Sequence, residues 1–265
     1  MINMLTNEET IGIIPAAGQA TRMGHLPCSK ELLPVGFHKS IRGLENKPKV
    51  IISYLLEKQR FANIKKVYIV LHKGKWDIPS YLGNGSAFNM HLCYLMQGLP
   101  YGVPYTLDQA YPYIKNSIVA LGFPDIIYET KDIYIRLLKR LKKGDADVVL
   151  GLFPADQPQN ADGVKMDSNG MIRRVFAKPH DAQQNNVWAA AVWKPIFSQF
   201  MHEYLTNLEL PLSYNIELQI GHIIQIAIEK GLRAAGSRVS DHPPIDIGTS
   251  QNLAAVMKSL RDDEF

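Results

Sequence analysis

Four short runs of uninterrupted apolar residues constrain this chain more than anything else in it. They are Ile11-Gly12-Ile13-Ile14-Pro15-Ala16-Ala17, Val67-Tyr68-Ile69-Val70-Leu71, Ile118-Val119-Ala120-Leu121-Gly122 and Val148-Val149-Leu150-Gly151-Leu152. Each is shorter than an ordinary helix, and none shows the alternation of a strand wetted on one face. Such runs read as strands covered on both faces of a sheet. Between them, residues 50–61 and 126–141 carry apolar side chains at helical spacing, as in Ile51, Tyr54, Leu55 and Phe61. Strands alternating with helices predict βαβ units. The expected class is therefore α/β, a mostly parallel sheet flanked by helices.

The second half of the chain departs from that rhythm. Residues 163–167 and 171–175 flank Ser168-Asn169-Gly170, and Asn-Gly between apolar runs predicts a hairpin. Helices are expected over 194–206 and 215–230, the latter closed by Gly231. Pro243-Pro244 introduces a short strand at 245–248, and Ser250 is placed to cap a final helix. No internal repeat and no long linker breaks the chain, so residues 1–265 read as one domain with a small appended mixed lobe.

Charge narrows the function classes. The net charge is only +4 and no basic stripe is present, which argues against a nucleic-acid partner. The densest basic run, Lys139-Arg140-Leu141-Lys142-Lys143, fits a helix C-terminus facing water. No apolar run reaches membrane-spanning length, and the polar first ten residues do not read as a secretory signal. With two cysteines, Cys28 in a loop and Cys93 in a strand, a disulfide framework is not expected. A cytoplasmic location fits these features. The eight histidines show no metal-ligand spacing, and no Ser-His-Asp or Cys-His arrangement can be traced.

The first apolar run leads into Ala17-Gly18-Gln19-Ala20-Thr21-Arg22-Met23-Gly24. Small residues at a strand-to-helix turn let backbone amides approach phosphate oxygens, and Arg22 adds a planar cationic fork. Neither the P-loop nor the G-x-G-x-x-G pattern is present, so ATPase and dehydrogenase readings lose support. Eight residues beyond Arg22 comes Lys30, within Ser29-Lys30-Glu31-Leu32-Leu33-Pro34-Val35. A lysine there supplies a compact charge for a polyphosphate.

The stretch 15–35 resembles the signature of sugar nucleotidyltransferases, close to the glucose-1-phosphate thymidylyltransferase and uridylyltransferase branch. Further resemblances follow in order. They lie at Leu82-Gly83-Asn84-Gly85-Ser86, at Gln97 with Gly102, and at Leu121-Gly122-Phe123-Pro124-Asp125. Others are Gly163-Val164, Ala177-Lys178-Pro179 and Asp246-Ile247-Gly248-Thr249, so the likeness spans nearly the whole chain.

That resemblance implies a Rossmann-like, GT-A-like nucleotidyltransferase fold. It also implies a nucleotide-binding half over about 10–125 and a sugar-phosphate-binding half over about 126–265. The implied partners are a nucleoside triphosphate and a sugar-1-phosphate, with pyrophosphate as the second product and homo-oligomerisation left open. Arg22 and Lys30 would be catalytic. Ala16, Ala17, Gly18, Thr21, Gln97 and Gly102 would bind the nucleotide, and Gly163 and Lys178 the sugar phosphate. Asp125 and Asp246 would hold Mg²⁺, although Asp125 read alone also fits a helix N-cap before Ile126, and Asp246 a turn aspartate. Gln97 matches the donor-acceptor edge of uracil or thymine. Trp188, Trp193 and Tyr204 read as core or pocket wall.

Several positions depart from the family pattern. Ala20 stands where another glycine is usual, the Arg22-to-Lys30 interval is short, and Phe123-Pro124 is inserted before Asp125. Ala177 replaces a glutamate that binds sugar hydroxyls. These departures keep open a nucleotide-binding regulatory or assembly protein without catalysis, and the Ala-Ala-Gly-x-x-x-Arg-Met-Gly run at 16–24 also resembles cytidylyltransferases acting on a polyol phosphate.

Overall fold

The computed structural model describes residues 9–38, 47–156, 162–176, 185–209 and 217–262. Its parallel core is β1 (Thr10–Ala16), β4 (Lys66–Leu71), β5 (His91–Met96) and β6 (Ile118–Gly122), with β4 and β6 either side of β1. A hairpin of β2 (Pro34–His38) and β3 (Lys47–Val50) leads into α1 (Ile51–Phe61). Helix α2 (Asp77–Leu82) lies between β4 and β5. After β5 come α3 (Val103–Asp108) and α4 (Tyr111–Ile114), then β6.

Beyond β6 lie β7 (Ile126–Ile127), α5 (Ile133–Leu141) and β8 (Val148–Pro154). The expected hairpin forms as β9 (Gly163–Met166) and β10 (Ile172–Phe176). Strand β11 (Asn186–Trp193) runs antiparallel to β6, β8 and β9, joining the hairpin to the parallel core. Helices α6 (Pro195–Thr206) and α7 (Ile220–Glu229) precede β12 (Ala234–Arg238), which pairs in parallel with β8. The chain then forms β13 (Ile245–Asp246) and α8 (Ser250–Asp262). One nine-stranded sheet thus draws on both halves of the described chain.

The apolar runs are buried on both faces, as their composition requires. Along β1, Ile11 and Ile13 pack with Leu107, Phe197 and Ile223 on one side. Ile14 and Ala16 pack with Leu55, Leu56 and Leu137 on the other. This is the period-two alternation of a strand carrying a core on each face. Each fully buried isoleucine or leucine contributes about 1.5–3 kcal/mol relative to exposure.

Three local expectations change. Residues 126–141 do not form one helix: Ile126 and Ile127 are a strand, and the helix begins at Ile133. Asp125 is therefore no helix N-cap. The last helix is capped by Thr249 rather than Ser250, since Thr249 Oγ1 accepts the Asn252 N–H at 3.2 Å. The helix expected from 215 begins at Ile220, and Leu218 instead bridges the backbone of Gly102. Its C-terminus follows the sequence: Gly231 takes a φ of 97°, and the Leu232 N–H donates to the Ala227 carbonyl.

Candidate active site

The carboxyl edge of a parallel sheet is where strand ends release loops towards a ligand. β1 ends there at Ala16, and the chain turns out through Ala17 and Gly18 into the 3₁₀ turn Thr21–Met23. Ala16 and Ala17 are buried, whereas Gly18, Thr21 and Arg22 are exposed. Ala20 enters this turn in the left-handed region, with a φ of 56°. A Cβ in that region costs about 1 kcal/mol, a strain that glycine at this position would not carry.

Lys30 opens a second 3₁₀ turn, Lys30–Leu32. Its Nζ lies 2.5 Å from Asp125 Oδ2, and both side chains are largely shielded from water. A Cβ placed on Gly18 would lie 4.0 Å from the same Nζ, so the glycine loop and the lysine share one space. Burial alone would lower the ammonium's pKa. Asp125, with Glu31 and Asp246 beyond it, outweighs that and holds it above the ordinary lysine value.

Asp125 sits between β6 and β7, and a small ladder brings Asp246 to it. β7 pairs antiparallel with β13, with Asp246 opposite Ile126 and Ile245 opposite Ile127. The Ile247 N–H also donates to the Asp125 carbonyl at 2.9 Å. Two segments far apart in sequence thereby set two carboxylates in neighbouring positions. Asp246 Oδ1 accepts the Gly248 N–H at 2.7 Å, and Arg22 Nη2 lies 3.0 Å from where a Cβ on Gly248 would sit. Burial first, and then the Asp125 charge, raise the Asp246 pKa above the usual carboxylate value. The Gly248 amide, Arg22 and Lys30 oppose that rise without cancelling it.

The second oxygen of each aspartate has no hydrogen-bond partner among the described residues. No cluster of three or more His, Cys, Asp or Glu that could hold a metal occurs among them either. Two carboxylates lacking a protein-built shell suit a hard cation whose remaining ligands come from phosphate oxygens and water.

Arg22, Lys30, Asp125, Asp246 and Gly18 thus form one cluster. Gln97 lies just past β5, its backbone N–H on the Leu71 carbonyl at 2.8 Å and its Nε2 on Thr106 Oγ1 at 2.8 Å. That leaves one amide N–H and Oε1 for an imide edge. Gly102 has a φ of 106°, and a Cβ there would lie 2.2 Å from the Leu218 carbonyl oxygen. The close approach of Leu218 is sufficient reason for that glycine. Gly163 is buried at the start of β9, beside Val187 of β11. Trp188 and Trp193 are core residues, as expected. Lys178 and Ala177 lie outside the described residues.

Sequence reasoning missed a second set of charges around Lys30. The Asp77 carboxylate accepts the Ser29 backbone N–H at 2.7 Å and the Ser29 hydroxyl at 2.7 Å. Lys75 Nζ lies 2.7 Å from Oε1 of Glu31, whose side chain is only 1% exposed. The hint in the sequence is slight, a charged Glu31 set directly before the apolar Leu32-Leu33-Pro34-Val35 base. The two free cysteines, Cys28 and Cys93, take no part in a disulfide. No helix among the described residues is long and apolar enough to cross a membrane.

Residues 11–263 of this chain, from the start of β1 to the end of α8, match the nucleotidyl transferase family. The chain belongs to that family. It is 24% identical over 96% of its length to the low-salt glycan biosynthesis nucleotidyltransferase Agl11 of Haloferax volcanii. It is also 24% identical over 85% of its length to a glucose-1-phosphate thymidylyltransferase of Streptomyces antibioticus. It spans 66% and 61% of the lengths of those two relatives. Its fold matches a crystal structure of a Bacillus anthracis protein assigned as a glucose-1-phosphate thymidylyltransferase and solved with a sucrose. That match has a TM-score of 0.79 at 21% identity and covers 97% of each chain. The fold is thus the Rossmann-like one of these nucleotidyltransferases, with the small β2–β3 and β7–β13 sheets added to it.

Proposed function

We propose that this chain transfers a nucleoside monophosphate from UTP or dTTP to a sugar-1-phosphate, with release of pyrophosphate. The observation that carries the reading is the meeting of Arg22, Lys30, Asp125 and Asp246 at the carboxyl edge of β1 and β6. Two cations and two carboxylates there match what a polyphosphate and its divalent cation require.

In the reaction, an oxygen of the sugar phosphate attacks the α-phosphorus of the triphosphate. The new P–O bond forms as the bond from the α-phosphorus to the bridging oxygen breaks, and that electron pair leaves on pyrophosphate. The attacking phosphate is already ionised at neutral pH, so no strong general base is needed. Positioning and charge neutralisation do the catalysis. Arg22 presents its guanidinium fork to phosphate oxygens, and Lys30, now on Asp125, is close enough to the Gly18 loop to follow them. Asp125 and Asp246 would hold Mg²⁺, which when bound neutralises phosphate charge. The free N–H and Oε1 of Gln97 favour a pyrimidine, and Lys178 and Gly163 are assigned to the sugar-phosphate side.

The test is pyrophosphate release with Mg²⁺, screening UTP, dTTP, CTP, ATP and GTP against a panel of sugar-1-phosphates. A strong signal is expected for UTP or dTTP with one sugar-1-phosphate. Arg22→Ala should lower that turnover by about 10²–10³ with the circular dichroism spectrum unchanged. Binding of a nucleotide by calorimetry without turnover on any pair would overturn the transferase reading.

A further inference from the structure

Lys30 can act on a phosphate only if its backbone is held where its ammonium reaches the Gly18 loop. Its own turn is poorly equipped for this, being a three-residue 3₁₀ helix with no side-chain cap from Ser29. Short 3₁₀ pieces have weak hydrogen-bond geometry and need help from outside. Besides the Ile51 N–H donated to the Leu33 carbonyl, that help comes from the segment that follows β4. On one side of Lys30, Ser29 gives both its backbone N–H and its hydroxyl to the Asp77 carboxylate, each at 2.7 Å. On the other side, Glu31 is buried against Lys75 at 2.7 Å. Lys75 and Asp77 stand two residues apart, just after β4, and β4 is the parallel neighbour of β1. Asp77 also accepts the Ile78 N–H at 3.0 Å, so its carboxylate is tied to the first turn of α2 while it grips Ser29. The segment carrying Lys30 is thus fastened on both flanks to the segment that leaves β4, the strand next to the one carrying the Gly18 loop.

We propose that Asp77 is a positioning residue for the Lys30 ammonium, acting through Ser29, with the Lys75–Glu31 pair as the second anchor of the same turn. The inference rests on the transferase reading for its catalytic consequence and on the Asp77–Ser29 contacts alone for its structural one. A carboxylate is suited to the task because it only accepts and can take two donors from one residue at once. An asparagine has a single acceptor oxygen, so its amide would face either the Ser29 N–H or, with the Ser29 hydroxyl turned to accept, the Ile78 N–H. The burial of Asp77 raises its pKa, but the Ser29 and Ile78 donors more than offset this, and its net shift is downward.

The test has two readouts on Asp77→Asn, with Ser29→Ala, which deletes only the hydroxyl bond, as a milder companion. The first is amide hydrogen exchange of the peptide covering residues 26–33. Exchange there should rise by about tenfold while peptides from β8 and β11 keep their protection. This needs no activity, so it stands or falls separately from the transferase reading. The second is a double-mutant cycle with Lys30→Met. Asp77→Asn should lower kcat by on the order of tenfold or more in the parent, leave the KM for the nucleotide nearly unchanged, and lower kcat no further in Lys30→Met. Multiplying effects on kcat in the cycle would mean that Asp77 does not work through Lys30. Unchanged exchange at 26–33 in both variants would overturn the positioning role outright. If exchange rises but the parent releases no pyrophosphate, positioning stands and the transferase reading fails.

Discussion

Asp246 carries a charge that its surroundings disfavour, and the effect has a measurable sign. Its pKa is raised by burial and by Asp125. A carboxyl whose pKa is higher folded than unfolded binds its proton more readily in the native state. Its contribution to stability therefore weakens as pH rises from the unfolded value through the folded one. Asp246→Asn keeps an oxygen for the Gly248 N–H and loses the charge. The variant should be more stable than the parent at neutral pH, with the difference shrinking towards acid, and should have little transferase activity. Thermal melts across pH 3 to 8 check this; a variant less stable at neutral pH would refute it. Ala20 offers a second case at the same scale. Its positive φ of 56° places a Cβ where glycine has none, so Ala20→Gly should stabilise by about 1 kcal/mol in urea titrations. An unchanged or lower midpoint would mean that the greater freedom of glycine in the unfolded chain outweighs the relieved strain.

Among elements, the β7–β13 ladder, which brings Asp246 beside Asp125, was the least legible. Strands β1, β4, β6 and β8 can be read from sequence because each is buried on both faces and so must be apolar throughout. Ile126 and Ile127 look like the start of the helix that follows them, since two isoleucines satisfy either period. What makes them a strand is Ile245 and Asp246, a partner too distant in sequence for any local pattern to report. The resemblance named Asp125 and Asp246, but no property of the residues themselves announced that they meet. For the same reason the Asp77–Ser29 contact, 48 residues apart in sequence, was invisible. Replacing Ile247 tests the ladder directly. Ile247→Pro removes the N–H donated to the Asp125 carbonyl, whereas Ile247→Val keeps it and costs about 0.5–1.5 kcal/mol in packing. Turnover should collapse in the proline variant and persist in the valine one. Similar losses in both would show that packing at 247, rather than the ladder, holds the aspartates.

At the scale of the whole molecule, the site fastens distant parts of the chain to one another. Arg22 and Lys30 come from loops after β1, Asp125 from the loop after β6, and Asp246 from the last strand. The small core under that strand joins Val35 of β2, Ile51 of α1, Ile247 and Val256 of α8. A ligand gripping all four charged residues therefore binds only the assembled chain and must stabilise it by mass action. At a free concentration of 100 times the dissociation constant, that amounts to about 2.7 kcal/mol. UTP or dTTP with Mg²⁺ should raise the melting temperature in a concentration-dependent way, and slow hydrogen exchange in β7, β13 and the start of α8 as well as in the Gly18 loop. A metal chelator should remove most of the shift, because the two carboxylates then face the phosphates without a counter-ion between them. If the stabilisation survived the chelator, the nucleotide would be held by Arg22 and Lys30 alone and the metal role of the two aspartates would be refuted. If protection stayed confined to the Gly18 loop, the nucleotide would bind without engaging Asp246, and the C-terminal segment would have no part in holding it.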